Sequence, residues 1–256
     1  MSTFASYAQY YDLFYQDKDY AGESAYVHTL LSKHTQALDN KDCFLLDLGC
    51  GTGNYTQHLA KNIGRVKGVD LSPEMVEIAS SRHQGLSNAT FEVGDMTQYN
   101  KEKDVDIITA LFHVVCYQTQ NAALTSFFEN AAKMLKPGGL LAFDFWYGPA
   151  VLTDRPGSRT KTFDLENRCV TRTAEPTLYA NENKVNVCYE LLVEDKTSAE
   201  RERIEENHQM RYLFYPEIEL FAKHAGFEIL ESLEWMKLDL PLSFDSWNGI
   251  VILRKQ

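Results

Sequence analysis

The chain has 256 residues, 44 % of them hydrophobic and 24 % charged, and its 25 Lys+Arg against 36 Asp+Glu give a formal net charge of −11. This is globular composition, long enough for one large domain or two small ones, and not that of a disordered chain. The acidic balance argues against a nucleic-acid partner, and no apolar run reaches the ~20 residues that a membrane helix needs.

An aromatic leader with Tyr7, Tyr10, Tyr11, Phe14 and Tyr15 precedes a stretch from Ala21 to Leu38 whose apolar residues fall at helical spacing. No basic segment stands ahead of an apolar run there, so the expectation is a cytoplasmic protein without a secretory signal. From Cys43 the pattern becomes strictly alternating. CFLLDLG reads as a strand and is followed by a helix from about Asn54 to Asn62. RVKGVDL is followed by a helix over Pro73 to Arg82; ATFEVGD and VDIITALF come next, then a helix from Asn121 to Leu135, then PGGLLAFDFW. Strand and helix in succession predict a parallel sheet with helices on both faces.

After Trp146 the rhythm changes. Residues 158 to 214 alternate with period 2, as in Thr160, Thr162, Asp164 and Glu166 against Phe163 and Leu165, which predicts antiparallel strands with one wet face. A helix returns in PEIELFAKHAGF, and two strands, FEILESLEW and NGIVILRK, end the chain. The expected organisation is an α/β domain over 1–150 and 214–256, with an antiparallel β insertion over 151–213 that serves the acceptor. The cysteines Cys43, Cys50, Cys116, Cys169 and Cys188 lie in apolar runs without a CxxC pair. They predict reduced thiols and no metal site.

The strongest chemical cue is Asp47-Leu48-Gly49-Cys50-Gly51-Thr52-Gly53, where an apolar strand runs through three glycines into a helix. Glycines there let the main chain turn tightly and let a ligand approach it. Asp70, which ends the second strand, can accept both ribose hydroxyls of an adenosine. A dinucleotide fingerprint requires its third glycine where this chain has Asn54, and Asp47 would repel a pyrophosphate. The same carboxylate suits a sulfonium with a free amino group, so the spacing favours S-adenosylmethionine over NAD.

Together with Gly94-Asp95-Met96 and Leu135-Lys136-Pro137-Gly138-Gly139, these motifs resemble the class I S-adenosylmethionine-dependent methyltransferases over residues 43–146. The resemblance implies a seven-stranded Rossmann-like sheet. It also implies that Gly49, Gly51 and Gly53 wrap the methionine portion, with Asp47 orienting its amino group. Asp70 then holds the ribose, with Leu71 and Met75 beside the adenine, while Asp95 and Met96 meet the base. Leu111 and the residues up to Tyr117 face the sulfonium and the nucleophile. The competing reading of Met75 and Met96 is core packing.

In an open α/β sheet the segment after the fourth strand lies at the ligand edge. His113 and Tyr117 are therefore the catalytic candidates, and a structural role for His113 stays open beside that. Trp146 and Tyr147 leave the fifth strand at the same edge, and Tyr7, Tyr11 and Tyr15 are candidates for a lid. The leader and the insertion resemble N-methyltransferases of nucleotide-linked amino sugars and the glycine-type enzymes. A sugar nucleotide brings a pyrophosphate, for which Arg155, Arg159, Arg172 and Arg211 are candidates, Arg159 and Arg211 first. For His208 and Tyr212 ordinary sheet surface is the simpler reading. The expected activity is N-methylation of a small molecule by a monomer or homodimer. The alternatives are O-methylation of a sugar or other small acceptor and a non-catalytic S-adenosylmethionine-binding protein.

Overall fold

Continuous apolar runs become strands buried on both faces. In the computed structural model, which describes residues 8–198 and 200–256, β1 (Phe44–Leu48) is buried along its whole length. It lies between β2 (Arg65–Asp70) and β4 (Val105–Ala110), parallel to both. β3 (Ala89–Val93) extends the sheet beyond β2, and β5 (Leu135–Trp146) extends it beyond β4. Of the last two strands, β11 (Asn248–Lys255) adds antiparallel to β5 and β10 (Phe227–Glu234) antiparallel to β11, in the order β10-β11-β5-β4-β1-β2-β3. The expected seven-stranded sheet is present. Its connections diverge on either side of β1, so a crevice opens at the carboxyl ends of β1 and β4.

The helices cover this sheet: α2 (Tyr20–Ser32), α3 (Asn54–Leu59), α4 (Pro73–Arg82), α5 (Asn121–Met134) and α7 (Tyr215–His224). Two of them end earlier than the apolar spacing predicts. After α2, Thr35 Oγ1 accepts from the Ala37 amide at 3.0 Å, a local turn bond that competes with continuing the helix. After α3, the Asn88 side chain takes the Ala60 and Ile63 carbonyls at 2.8 and 2.9 Å. Two short helices have no counterpart in the periodicity. They are α1 (Ala8–Phe14) and α6 (Gly148–Thr153), the latter started by Pro149.

The alternating segment forms a separate antiparallel sheet, β6 (Arg159–Asp164), β7 (Arg168–Tyr179), β8 (Lys184–Asp195) and β9 (Arg201–Arg211), in chain order. Its wet face carries cross-strand pairs such as Thr160–Thr173 and Thr162–Thr171. Its other face packs Phe163, Val170, Leu191, Val193 and Ile204 on Tyr10 and Phe14 of α1. Beyond β9 the chain rejoins the main body: the Leu213 amide donates to the Trp146 carbonyl and the Gly148 amide to the Leu213 carbonyl, both at 2.9 Å. The small sheet is thereby held over the carboxyl ends of β4 and β5.

Candidate active site

The loop after β1 turns through left-handed Gly49, Gly51 and Gly53, at φ of 75°, 54° and 79°. A side chain on Gly51 would meet nothing within 4 Å, so its backbone faces open space, whereas one on Gly53 would strike His83 and Phe91. Asp70 ties the loop to the second strand. Its Oδ2 accepts from the Gly51 amide at 2.8 Å and its Oδ1 from the Ser72 amide at 2.9 Å. Burial raises the Asp70 carboxyl above its ordinary range, and these amide bonds pull it back down. Asp95 closes a turn of its own, its Oδ1 accepting from the Thr97 amide and hydroxyl at 2.8 and 2.7 Å.

A cavity of about 350 Å³ runs from this loop to the small sheet. At one end Gly49, Gly51, Asp70, Leu71, Met75, Asp95 and Met96 line it; at the other stand His113, Tyr117, Gln118 and Trp146, with Val187, Tyr189, His208 and Met210 from β8 and β9. Leu71 is 66 % exposed, an apolar side chain at the wall with little protein over it. Met75 is buried and Met96 packs on the core, so both serve packing and cavity wall at once.

The end near the small sheet is built on an unusual backbone. Phe112 and His113, directly after β4, both sit in the left-handed region, at φ of 68° and 60°. Non-glycine residues there cost of order 1–3 kcal/mol each and persist only where the surroundings hold them. Asp144 supplies that hold. It is buried in β5, both its oxygens accept from the His113 amide at 3.2 Å, and its Oδ2 stands 2.6 Å from His113 Nδ1. The ring contact is at ion-pair distance without hydrogen-bond alignment. One turn on, Tyr117 Oη lies 2.8 Å from His208 Nδ1, and His208 Nε2 lies 3.2 Å from Glu206 Oε2.

The leader helix α1 covers the cavity with Tyr11, and Tyr15 just after it stands edge-on to Phe112 at 4.9 Å between ring centres. Asp12 fastens that helix to the glycine loop. Its carboxylate accepts from Thr52 Oγ1 at 2.8 Å and Asn54 Nδ2 at 2.9 Å, and pairs with Arg82. Tyr7 lies outside the described residues.

Several expected site residues stand elsewhere. Asp47 lies beneath the loop, fully buried, accepting from Thr56 Oγ1 at 2.7 Å and Thr109 Oγ1 at 2.9 Å. Burial raises its carboxyl to about 6 against these bonds. Leu111 is packed in the core behind the cavity, because the chain turns only after it. Tyr147 packs beside Phe145 and does not line the cavity. Arg159 is exposed on the edge strand β6. Arg211 is buried in an ion pair with Glu217, with a longer contact to the Thr119 carbonyl, and so ties β9 to α7. His208 is buried at the cavity and not on an open sheet surface, and Tyr212 is fully buried with Val151 and Val185.

Asp144, Glu206, Tyr189 and Asp12 are the functional neighbours that sequence reasoning missed. Asp144 is the one acid within the apolar run LLAFDFW, a signal in itself, since a lone carboxylate in a central strand is retained for a partner. Glu206 and His208 sit two apart on one strand face, which the alternation alone records as polar.

Residues 45–139 match the family model described as a methyltransferase domain. The chain is 31 % identical over 150 residues to dTDP-3-amino-3,4,6-trideoxy-alpha-D-glucopyranose N,N-dimethyltransferase of Streptomyces venezuelae, a match covering 58 % of this chain and 60 % of the relative. It thus spans less than two thirds of that relative's length. It is 28 % identical to dTDP-3-amino-3,6-dideoxy-alpha-D-glucopyranose N,N-dimethyltransferase of Streptomyces fradiae, over 87 % of this chain and 84 % of the relative. Among solved structures, DesVI of Streptomyces venezuelae superposes with a TM-score of 0.79 at 24 % identity, covering 98 % of this chain and 99 % of that one. That superposition shows the fold, insertion included.

Proposed function

We propose that the chain, whose residues 45–139 match the methyltransferase-domain model, is a class I S-adenosylmethionine-dependent methyltransferase and that it N-methylates an amino sugar linked to a nucleotide. A single observation carries the reading: one cavity joins the glycine loop, Asp70 and Asp95 at one end to His113, Tyr117 and His208 at the other. The residues present fit the cofactor. Gly51 leaves the space a side chain would fill, Leu71 offers an uncovered apolar face, and Asp70 presents a carboxylate at a strand end.

In this reading Asp70 holds the ribose hydroxyls, and Leu71, Met75, Asp95 and Met96 hold the adenine. Gly49 and Gly51 cradle the methionine portion, with Asp47 adding negative charge from below. When bound, S-adenosylmethionine supplies an electrophilic methyl group. The protein's part is then to orient an amine in line with it and to exclude water. α1 with Tyr11 and Tyr15 closes the site, and Asp144 fixes the His113 turn against the acceptor.

Among the described residues no Lys or Arg lines the cavity wall, which suits an amine and leaves the phosphates at the mouth. In this reading Arg172, whose guanidinium lies over the rings of Tyr15 and Tyr189 at 5.5 and 5.4 Å, takes the phosphates. It replaces Arg159 and Arg211 as the candidate phosphate ligand. The names of the two Streptomyces relatives support the acceptor class. None of the cysteines in the described residues is paired and no described helix is long and apolar enough to cross a membrane, which supports a cytoplasmic setting.

The test has two steps. Calorimetric titration with S-adenosylhomocysteine should give one site per chain. Incubation with S-adenosylmethionine and dTDP-linked amino sugars should add 14 or 28 mass units, about one or two methyl groups by mass spectrometry, to the amine. Binding without turnover on any amine would leave a binding protein, and methylation only of hydroxyl acceptors would make it an O-methyltransferase.

A further inference from the structure

Dimethylation of an amine poses a proton problem that one methylation does not. After the first transfer the nitrogen is a secondary ammonium, and it becomes a nucleophile again only when it has lost a proton. We propose that Tyr117, His208 and Glu206 form the relay that takes this proton, so that the small sheet supplies the group enabling a second methyl transfer. The proposal rests on the N-methylation reading above.

The geometry assigns the hydrogens. A carboxylate only accepts, so the 3.2 Å contact with Glu206 Oε2 places the imidazole hydrogen on His208 Nε2. His208 Nδ1 then accepts, and the Tyr117 hydroxyl, 2.8 Å away, donates to it in the proposed relay. With its hydrogen given to His208, the phenol oxygen meets an amine N–H in the cavity through a lone pair. His208 is buried and Glu206 nearly so, and Tyr189 stands edge-on to the imidazole at 4.9 Å, which fixes the ring. A hydroxyl, an imidazole and a carboxylate in series have the logic of a catalytic triad, with the phenol in the place of the nucleophile acting only as a proton conductor.

The step balances without a further reagent. An N–H bond of the secondary ammonium breaks, its electron pair returning to nitrogen, and the proton passes to Tyr117 Oη. The original phenol proton moves at the same time to His208 Nδ1. The products are a neutral secondary amine, an intact phenol and an imidazolium paired with Glu206, which releases its proton to water. Tyr117 touches the acceptor; His208 and Glu206 are positioning residues that act through it.

The proposal is tested with wild type and the variants Tyr117→Phe, His208→Asn and Glu206→Gln, given S-adenosylmethionine and the acceptor that names the Streptomyces fradiae relative. Mono- and dimethylated products are separated by mass, and kcat and KM are taken for each transfer. Wild type should finish as dimethylated amine. Tyr117→Phe and His208→Asn should keep the acceptor KM within about twofold yet slow the second transfer at least ~10-fold, so that monomethylated product accumulates. Glu206→Gln should fall between.

Nitrogen spectra of histidine-labelled protein without ligands should show one histidine in the Nε2–H form, lost in His208→Asn. Should His208→Asn fail to fold, Tyr117→Phe removes a single hydroxyl at a cavity wall and carries the same comparison. Wild-type product ratios and rates in the variants, or a His208 hydrogen on Nδ1, would overturn the relay. Absence of any methylated amine from wild type would instead sink the proposed function, and the nitrogen spectra would still decide the hydrogen-bond assignment.

Discussion

Asp47 is the residue whose replacement tells most about how this site is built. Its carboxyl ordinarily titrates near 3.8, and burial holds it at about 6 in the folded chain. The folded state therefore binds the proton more tightly than the unfolded state does. The linkage sign follows: stability contributed by the protonated carboxyl is fully present below pH 3.8, declines as pH rises to about 6, and is absent above that. The difference of 2.2 pH units at 1.36 kcal/mol each gives about 3 kcal/mol as the ceiling on what the ionised group costs at neutral pH.

Asp47→Asn keeps the shape, and Thr56 and Thr109 have hydroxyls that can accept as well as donate. The variant should gain about 1–3 kcal/mol at pH 7.5, roughly 3–10 °C in Tm for a domain of this size, and almost nothing at pH 4. The assay is the difference in Tm between variant and wild type across that range without ligand, which cancels the other carboxylates. Affinity for S-adenosylhomocysteine should fall in the same variant, since the charge under the loop is gone. A Tm difference that is negative, or flat with pH, would refute the claim that this carboxylate is retained for its ligand at the expense of the fold.

Asp70→Ala should weaken S-adenosylhomocysteine by about 2–4 kcal/mol, roughly 30- to 1000-fold, because it deletes a buried acceptor and frees the Gly51 and Ser72 amides; an unchanged dissociation constant by calorimetry would put the ribose elsewhere. Arg211→Met should cost about 3–5 kcal/mol of stability by leaving Glu217 half-buried without its cation, while the acceptor KM stays as in wild type; a raised KM with unchanged Tm would return Arg211 to the substrate. Asp12→Ala should speed release of the cofactor product several-fold in stopped-flow experiments, since the same carboxylate fastens α1 to Thr52, Asn54 and Arg82. An unchanged release rate would mean that α1 does not gate the site.

The end of the cavity at the glycine loop, the proposed cofactor site, was legible because the main chain encodes it locally. Gly49 and Gly51 are needed where φ is positive, Asp70 ends a strand, and Ser72 with Pro73 starts the next helix through a hydroxyl accepting from the Met75 amide. Each of these signals lies within a few residues of the atom it places. Where a local rule went astray the reason was also local: Leu111 reads as part of the ligand edge, but the turn begins one residue later, at Phe112.

The acceptor end is encoded differently, and periodicity cannot reach it. Tyr117 and His208 are 91 residues apart and meet only because β9 is held over the 114–117 turn through the contacts of Leu213 with Trp146 and Gly148. Alternation says that His208 and Glu206 share a face with Met210; it does not say whether that face looks onto water or onto another sheet. The arginines mislead for the same reason. Arg211 is adjacent to the site in sequence terms, yet Glu217 six residues on claims it, while Arg172, ranked behind Arg159 and Arg211 by sequence, lies over the rings of Phe14, Tyr15 and Tyr189 at the cavity's edge. A methyl donor common to many acceptors can be read from one short stretch of backbone. The choice of acceptor lies in side chains that only the packing of the small sheet brings together, so substitutions there should change the acceptor accepted while leaving affinity for the donor as it is.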